Sequence, residues 1–182
     1  MGDFNESIND QRSSLPRLLV IGAGARGNAY ARAVTKSGLG LIVSVAEPIS
    51  SKRTSLGDQY IWHAGKRQED QEFDCWQDYV EYERIRRRRE EAGERVLPGF
   101  DGVFVCTLDE THAAIITALA PLGLHIMSEK PLATTLQDCL TIYQSLHGTG
   151  EHKASSDKGE FAQEAPYIVP TTRALRYDVV VA

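Results

Sequence analysis

Short apolar runs alternate with longer amphipathic stretches along this chain. RLLVIG (17–22) and LIVSVA (41–46) are almost continuously apolar, as strands covered on both faces of a parallel sheet are. Between them come glycines and then NAYARAVTKS (28–37), a helix-forming stretch that stops at Gly38. Strand, glycine turn, helix and strand within about thirty residues is the length of a βαβ unit. The segment 50–70 predicts one short helix and a loop, and EFDCW (72–76) predicts a short strand. DYVEYERIRRRREEAGE (78–94) predicts a charged helix ending near Gly93. DGVFVCT (101–107) and LHIMSEKP (124–131) read as strands. THAAIITALAPLG (111–123) between them reads as a helix with Ile115, Ile116 and Leu119 on one face. TTLQDCLTIYQSL (134–146) is a helix whose Leu136, Leu140 and Tyr143 recur at i, i+4 and i+7. Thr135 followed by Asp138 resembles a capping box at its start.

This order predicts an α/β fold with a doubly wound, mostly parallel sheet of the Rossmann kind. Residues 1–15 read as a flexible lead-in, 16–147 as the domain, and 148–182 as a linker-like tail. The tail's last sixteen residues, YIVPTTRALRYDVVVA (167–182), supply at most one or two further strands, the first interrupted by Pro170.

With 182 residues there is room for one α/β domain and not for two of ordinary size. A net charge of −5 offers no field to draw nucleic acid. Cys75, Cys106 and Cys139 lack CxxC spacing, which argues against a zinc site or disulfide framework and fits a reducing compartment. No apolar run approaches the roughly 18 residues that span a bilayer, and the polar start has no signal-peptide character. A cytoplasmic protein with no membrane or nucleic-acid partner is expected.

Chemistry enters with Gly22-Ala23-Gly24-Ala25-Arg26-Gly27, a GxGxxG string that follows a buried strand and opens a helix. Gly22 permits the tight turn, Gly24 lets backbone approach a pyrophosphate, and Gly27 allows helix to pack close on strand. The helix start offers unpaired N–H groups to phosphates. Glu47, twenty residues after Gly27, closes the second strand, where a carboxylate accepts ribose hydroxyls and repels a 2′-phosphate. NAD is therefore expected ahead of NADP. Lys52 and Arg53 would serve NADP only by turning inward, and they read as a solvated helix start. A flavoprotein or an S-adenosylmethionine-dependent methyltransferase shares the turn and the acid.

The second half separates these readings. Asp101-Gly-Val-Phe-Val-Cys-Thr107, Leu-Asp-Glu-Thr-His112 opening a helix, and Ser-Glu129-Lys130-Pro131 ending a strand resemble the Gfo/Idh/MocA family. This is the glucose-fructose oxidoreductase and inositol dehydrogenase group, and the resemblance covers about residues 17–146. It implies an NAD- or NADP-binding domain of an oxidoreductase acting on CH–OH groups of a sugar or polyol-like substrate. Gly22, Gly24, Ala25, Arg26 and Gly27 would then line the pyrophosphate, and Glu47 the ribose. Thr107, His112 and Glu129 would border the cofactor. Lys130 would be the catalytic residue, beside the nicotinamide, positioning substrate and assisting proton transfer, with Pro131 fixing the backbone after it.

Two departures qualify the likeness. Leu108 stands where the family carries a proline. The family's substrate-side Asp-x-x-x-His is absent after Pro131, where Tyr143 and Gly148 precede His147 and His152 by four positions. The substrate domain is accordingly expected to be missing, leaving a truncated domain with little turnover. The alternative is a non-catalytic dinucleotide-binding or interaction module.

Other signals read as structure. The arginines between Arg84 and Arg89 are expected on a solvated helix face, paired as Glu83–Arg87, Arg86–Glu90 and Arg87–Glu91. Trp62, Trp76 and Tyr79 are expected to pack. Cys106 is expected as a buried small hydrophobe within a strand.

Overall fold

A computed structural model describes residues 15–62, 67–147 and 179–181 of the chain. Six strands form one sheet in the order β3-β2-β1-β4-β5-β6. They are β1 (Arg17–Ile21), β2 (Leu41–Ala46), β3 (Glu72–Phe73), β4 (Gly102–Val105), β5 (His125–Ser128) and β6 (Val179–Val181). Every pairing is parallel. The helices are α1 (Ala25–Ser37), α2 (Ser50–Tyr60), α3 (Trp76–Glu91), α4 (His112–Leu119) and α5 (Leu136–His147).

The apolar runs are strands because both of their faces are covered. Leu19 and Ile21 of β1 pack with Val103, Val105 and Ile126 against Tyr79, Ile115, Ile116, Leu119 and Ile142 from α3, α4 and α5. Val20, between them in sequence, points the other way and packs with Val45, Ala31, Leu56 and Tyr60 under α1 and α2. This is a doubly wound sheet. Successive side chains of a strand alternate faces, so a run buried on both sides must be apolar throughout.

Several expectations need correction. EFDCW is a strand only at Glu72–Phe73, because the Cys75 N–H donates to the Asp78 carboxylate (3.2 Å) and starts α3 at Trp76. Leu136, Leu140 and Tyr143 do share a face of α5, but that face is exposed, and Ile142 alone is the helix's buried residue. At the start of α5 the Asp138 N–H donates to Thr135 Oγ1 (3.0 Å), and the Thr135 hydroxyl donates to the Asp138 carboxylate (2.7 Å). The return bond of a full capping box is thus taken by the hydroxyl.

The arginine-rich part of α3 is not wholly solvated. Glu83 and Arg86 are buried, with Arg86 Nε and Nη2 donating to the two Glu83 oxygens at 2.7 and 3.0 Å. Arg87 Nε also donates to Glu83 (2.7 Å), and Arg86 reaches Glu90 (3.1 Å) and the Leu97 carbonyl (3.3 Å). A pairing of Arg87 with Glu91 is not among the described ion pairs. Tyr79 is fully buried, while Trp62 and Trp76 pack at the edges of the two cores. The first strand candidate of the tail lies outside the described residues, and β6 is the second.

Candidate functional site

The strand order reverses direction at β1, which has β2 on one side and β4 on the other. In an open α/β sheet the loops leaving the carboxyl ends of strands at such a point diverge and leave a crevice. Here the loops after β1, β2, β4 and β5 carry the glycine turn, Glu47, Thr107 and Lys130.

The three glycines of the turn stand in three different environments. Gly22 has φ +95°, and a Cβ there would lie 2.6 Å from the Cys106 carbonyl oxygen. A Cβ on Gly27 would lie 2.1 Å from the Gly22 carbonyl oxygen and 3.0 Å from Val20 Cγ1, so α1 packs on β1 at backbone distance. Around Gly24 a Cβ would meet nothing within 4 Å. Gly24 is also the N-cap of α1, with no side-chain cap and no acid in the first turn, and the helix's bonding begins with Asn28 N–H donating to its carbonyl (3.0 Å). Open space lies directly in front of unbonded helix-start amides, which suits an anionic group.

Glu47 is buried at the end of β2. Its Oε2 accepts the Ala23 N–H (2.8 Å) and its Oε1 the Ile49 N–H (2.9 Å), so the carboxylate ties the glycine turn to its own loop. Each carboxylate oxygen has a second lone pair, leaving acceptor capacity for hydroxyl donors. The residues present therefore fit a dinucleotide: open amides for a diphosphate and a fixed acid for a ribose.

Across the crevice, β4 ends at Val105, so Cys106 lies beyond the strand rather than within it and is only half-buried. Burial, with the Glu129 charge adding to it, pushes its thiol up to about 12. Thr107 follows, its hydroxyl accepting from Thr111 (2.7 Å). Leu108, the residue that departs from the proline of the family the chain resembles, projects with 68% of its surface exposed.

His112 opens α4 beneath the loops after β4 and β5. It is fully buried, with Nδ1 2.9 Å from the Pro131 carbonyl and Nε2 3.3 Å from the Thr107 carbonyl. It lies between the loop after β4 and the loop after β5, with a ring nitrogen near a carbonyl of each.

Glu129 is also buried, with the Tyr30 hydroxyl donating to it (2.5 Å) and Arg26 Nε 3.7 Å away. Tyr30, on α1, stacks on Phe104 of β4 with ring centroids 5.3 Å apart. The hydrogen bond to Glu129 foremost, with burial and the carboxylate charge, raises the Tyr30 phenol to about 12. This pair fastens the residue just after β5 to α1. Tyr30 was not anticipated from the sequence. Its position one turn after Gly27 was the available signal; Glu129 was expected at the site, but its pairing with Tyr30 joins residues 99 positions apart. Lys130, next in line, is exposed, without an ion pair among the described residues, and its bond to Pro131 is cis.

Arg53 departs from the solvated position expected of it. It is turned inward on Asp74, Glu72 and the Glu47 carbonyl. The cavity of about 380 Å³ lined by Glu69, Tyr82, Arg86 and Arg95 lies away from this crevice, between α3 and the segment leading to β4. Among the described residues no group of His, Cys, Asp and Glu is arranged to hold a metal ion. No helix there is long and apolar enough to cross a membrane.

Over residues 17–152 the chain matches the profile of the Gfo/Idh/MocA group, described as an oxidoreductase family with an NAD-binding Rossmann fold. It is 29% identical over 123 residues to the rhizopine catabolism protein MocA of Rhizobium meliloti, taking in 67% of this chain and 31% of that protein. Against inositol 2-dehydrogenase 1 of Saccharopolyspora erythraea it is 27% identical over 164 residues, taking in 87% and 41%. The chain thus spans well under half the length of the curated relatives it matches.

Solved structures share the fold. An oxidoreductase from Agrobacterium radiobacter in complex with NAD+, L-tartaric acid and magnesium superposes with a TM-score of 0.57 at 16% identity, covering 73% of this chain and 32% of that one. The WlbA dehydrogenase from Bordetella pertussis in complex with NADH and UDP-GlcNAcA gives 0.56 at 17%, covering 72% and 32%.

Proposed function

This chain belongs to the Gfo/Idh/MocA family of oxidoreductases, and from that premise we propose that it is the NAD-binding part of an enzyme oxidising or reducing a CH–OH group of a sugar or polyol-like substrate. The observation that carries the reading is the open space at Gly24, in front of uncapped helix amides and beside a buried Glu47. In this reading the amides of Gly24 to Gly27 hold the diphosphate and Arg26 lies over it. The spare lone pairs of Glu47 take the ribose hydroxyls, and Thr107 lines the far wall. His112 and Glu129 fix the two loops between which the nicotinamide lies. When bound, the dinucleotide supplies hydride exchange with the substrate carbon. Lys130 positions the substrate hydroxyl and holds or releases its proton at Nζ.

The likeness to inositol 2-dehydrogenase supports a polyol as the substrate class.

The direct test is thermal unfolding with NAD. Ligand at about a hundred times Kd stabilises the native state by roughly 2.7 kcal/mol, which raises the midpoint by about 5–10 °C for a domain of this size. No shift with millimolar NAD or NADP would remove the reading. A second reading, a non-catalytic dinucleotide-binding module that docks another protein, is favoured by the exposed Leu136, Leu140 and Tyr143. Sizing with light scattering separates the two: a defined complex supports the module.

A further inference from the structure

β2 and β3 end side by side, Ala46 opposite Phe73, with the Glu47 N–H donating to the Phe73 carbonyl (3.1 Å). Three carboxylates are thereby gathered at one rim of the crevice: Glu47, Glu72 and Asp74. Arg53, in the first turn of α2, reaches the side chains of two of them and the main chain of the third. Its Nη2 lies 2.6 Å from Asp74 Oδ1, its Nε 3.4 Å from Glu72 Oε2, and Nη1 donates to the Glu47 main-chain carbonyl. The Arg53 side chain is 13% exposed, whereas Asp74 is 80% exposed and stands at the rim.

A 2′-phosphate on the adenosine ribose would arrive beside Glu47 and would need a cation that is free to turn toward it. Three of the five Arg53 donors are already directed at acceptors. Arg67 also reaches Glu72 (3.2 Å), and three carboxylates against these two guanidiniums still leave the rim with a net negative charge, which opposes a phosphate and leaves an uncharged hydroxyl unaffected.

We propose that Arg53 is the residue on which the choice between phosphorylated and unphosphorylated dinucleotide turns, and that Asp74 and Glu72 withhold it, so that this site takes NAD and rejects NADP. The proposal rests on the dinucleotide reading above and deepens it. Glu47 supplies the acceptor for the ribose. The pair on β3 and just beyond it sets the specificity through Arg53, from positions that need not touch the cofactor.

The experiment is calorimetric titration of NAD+ and NADP+ into the wild type, Asp74→Asn, Glu72→Gln/Asp74→Asn, and the double variant also carrying Arg53→Ala. Wild type should prefer NAD+ by more than thirtyfold. In the double variant NADP+ affinity should rise at least tenfold while NAD+ stays within threefold, and Arg53→Ala should abolish the gain. Asp74→Asn removes only an exposed carboxylate and should show part of the gain if the edge strand tolerates Glu72→Gln poorly. Unchanged NADP+ affinity in both variants, or a gain that survives Arg53→Ala, overturns the proposal and leaves the dinucleotide reading intact. A wild type that binds neither cofactor overturns both.

Discussion

Gly24 and Gly27 belong to one six-residue string, yet the chain needs them for opposite reasons. A methyl group at Gly27 collides with the Gly22 backbone, whereas one at Gly24 enters empty space at an ordinary φ of −75°. Gly27→Ala should therefore cost about 1–3 kcal/mol of stability, as overpacking does. Gly24→Ala should leave stability within about 0.5 kcal/mol while weakening NAD at least tenfold, since the methyl stands where the diphosphate would approach. Denaturant unfolding and cofactor titration of the two variants check this pair of outcomes, and equal effects of both on stability would contradict it. The spacing of the glycines and the distance to Glu47 were legible in the sequence, because a βα turn is local and its rules are backbone rules. The bonds from Glu47 to Ala23 and Ile49, and the burial of His112 between two carbonyls, were not. Those depend on where loops from different strands meet.

At the scale of elements, α5 shows how periodicity can be read correctly and placed wrongly. Leu136, Leu140 and Tyr143 form a regular stripe, but the helix lies on the sheet through Ile142. Ile142→Ala should cost about 2–5 kcal/mol. Leu140→Ser should cost no more than about 0.5 kcal/mol, the reverse of what the stripe alone suggests, and urea titrations of both decide it.

The charge pattern of α3 was likewise legible as pairs but not as depth. Burial alone would raise the Glu83 carboxyl, yet the hydrogen bonds from Arg86 and Arg87 more than reverse that and hold it below the usual carboxylate range. Its stabilisation is thus fully present above the ordinary value of 4.5 and is lost as pH falls through the lowered one. Glu83→Gln should be less stable at neutral pH by about 3–5 kcal/mol, since it strands buried Arg86. The gap should close only in acid below that range, as stability curves against pH would show.

For the whole molecule, Asp70 has the opposite sign. It is buried beside Arg17 (3.1 Å) with Oδ1 unpartnered, and desolvation outweighs the guanidinium to raise its carboxyl. A raised folded value means that ionisation costs stability as pH climbs above the ordinary 3.8 and through the raised value. Asp70→Asn should therefore raise the midpoint at neutral pH and give no gain below about 3.8, measured by thermal melts across that range.

The amino-acid sequence by itself determined that strands and helices alternate, that the strands are covered on both faces, and that a glycine turn and an acid close the first two strands. Hydrophobic period and turn chemistry are local quantities. Only the tertiary structure decided which stripe of α5 meets the core, that Glu83 is buried, and that Arg53 turns to Asp74 rather than to solvent. Each of these follows from which strand ends lie next to each other, and that is a property of the sheet order and of no single segment.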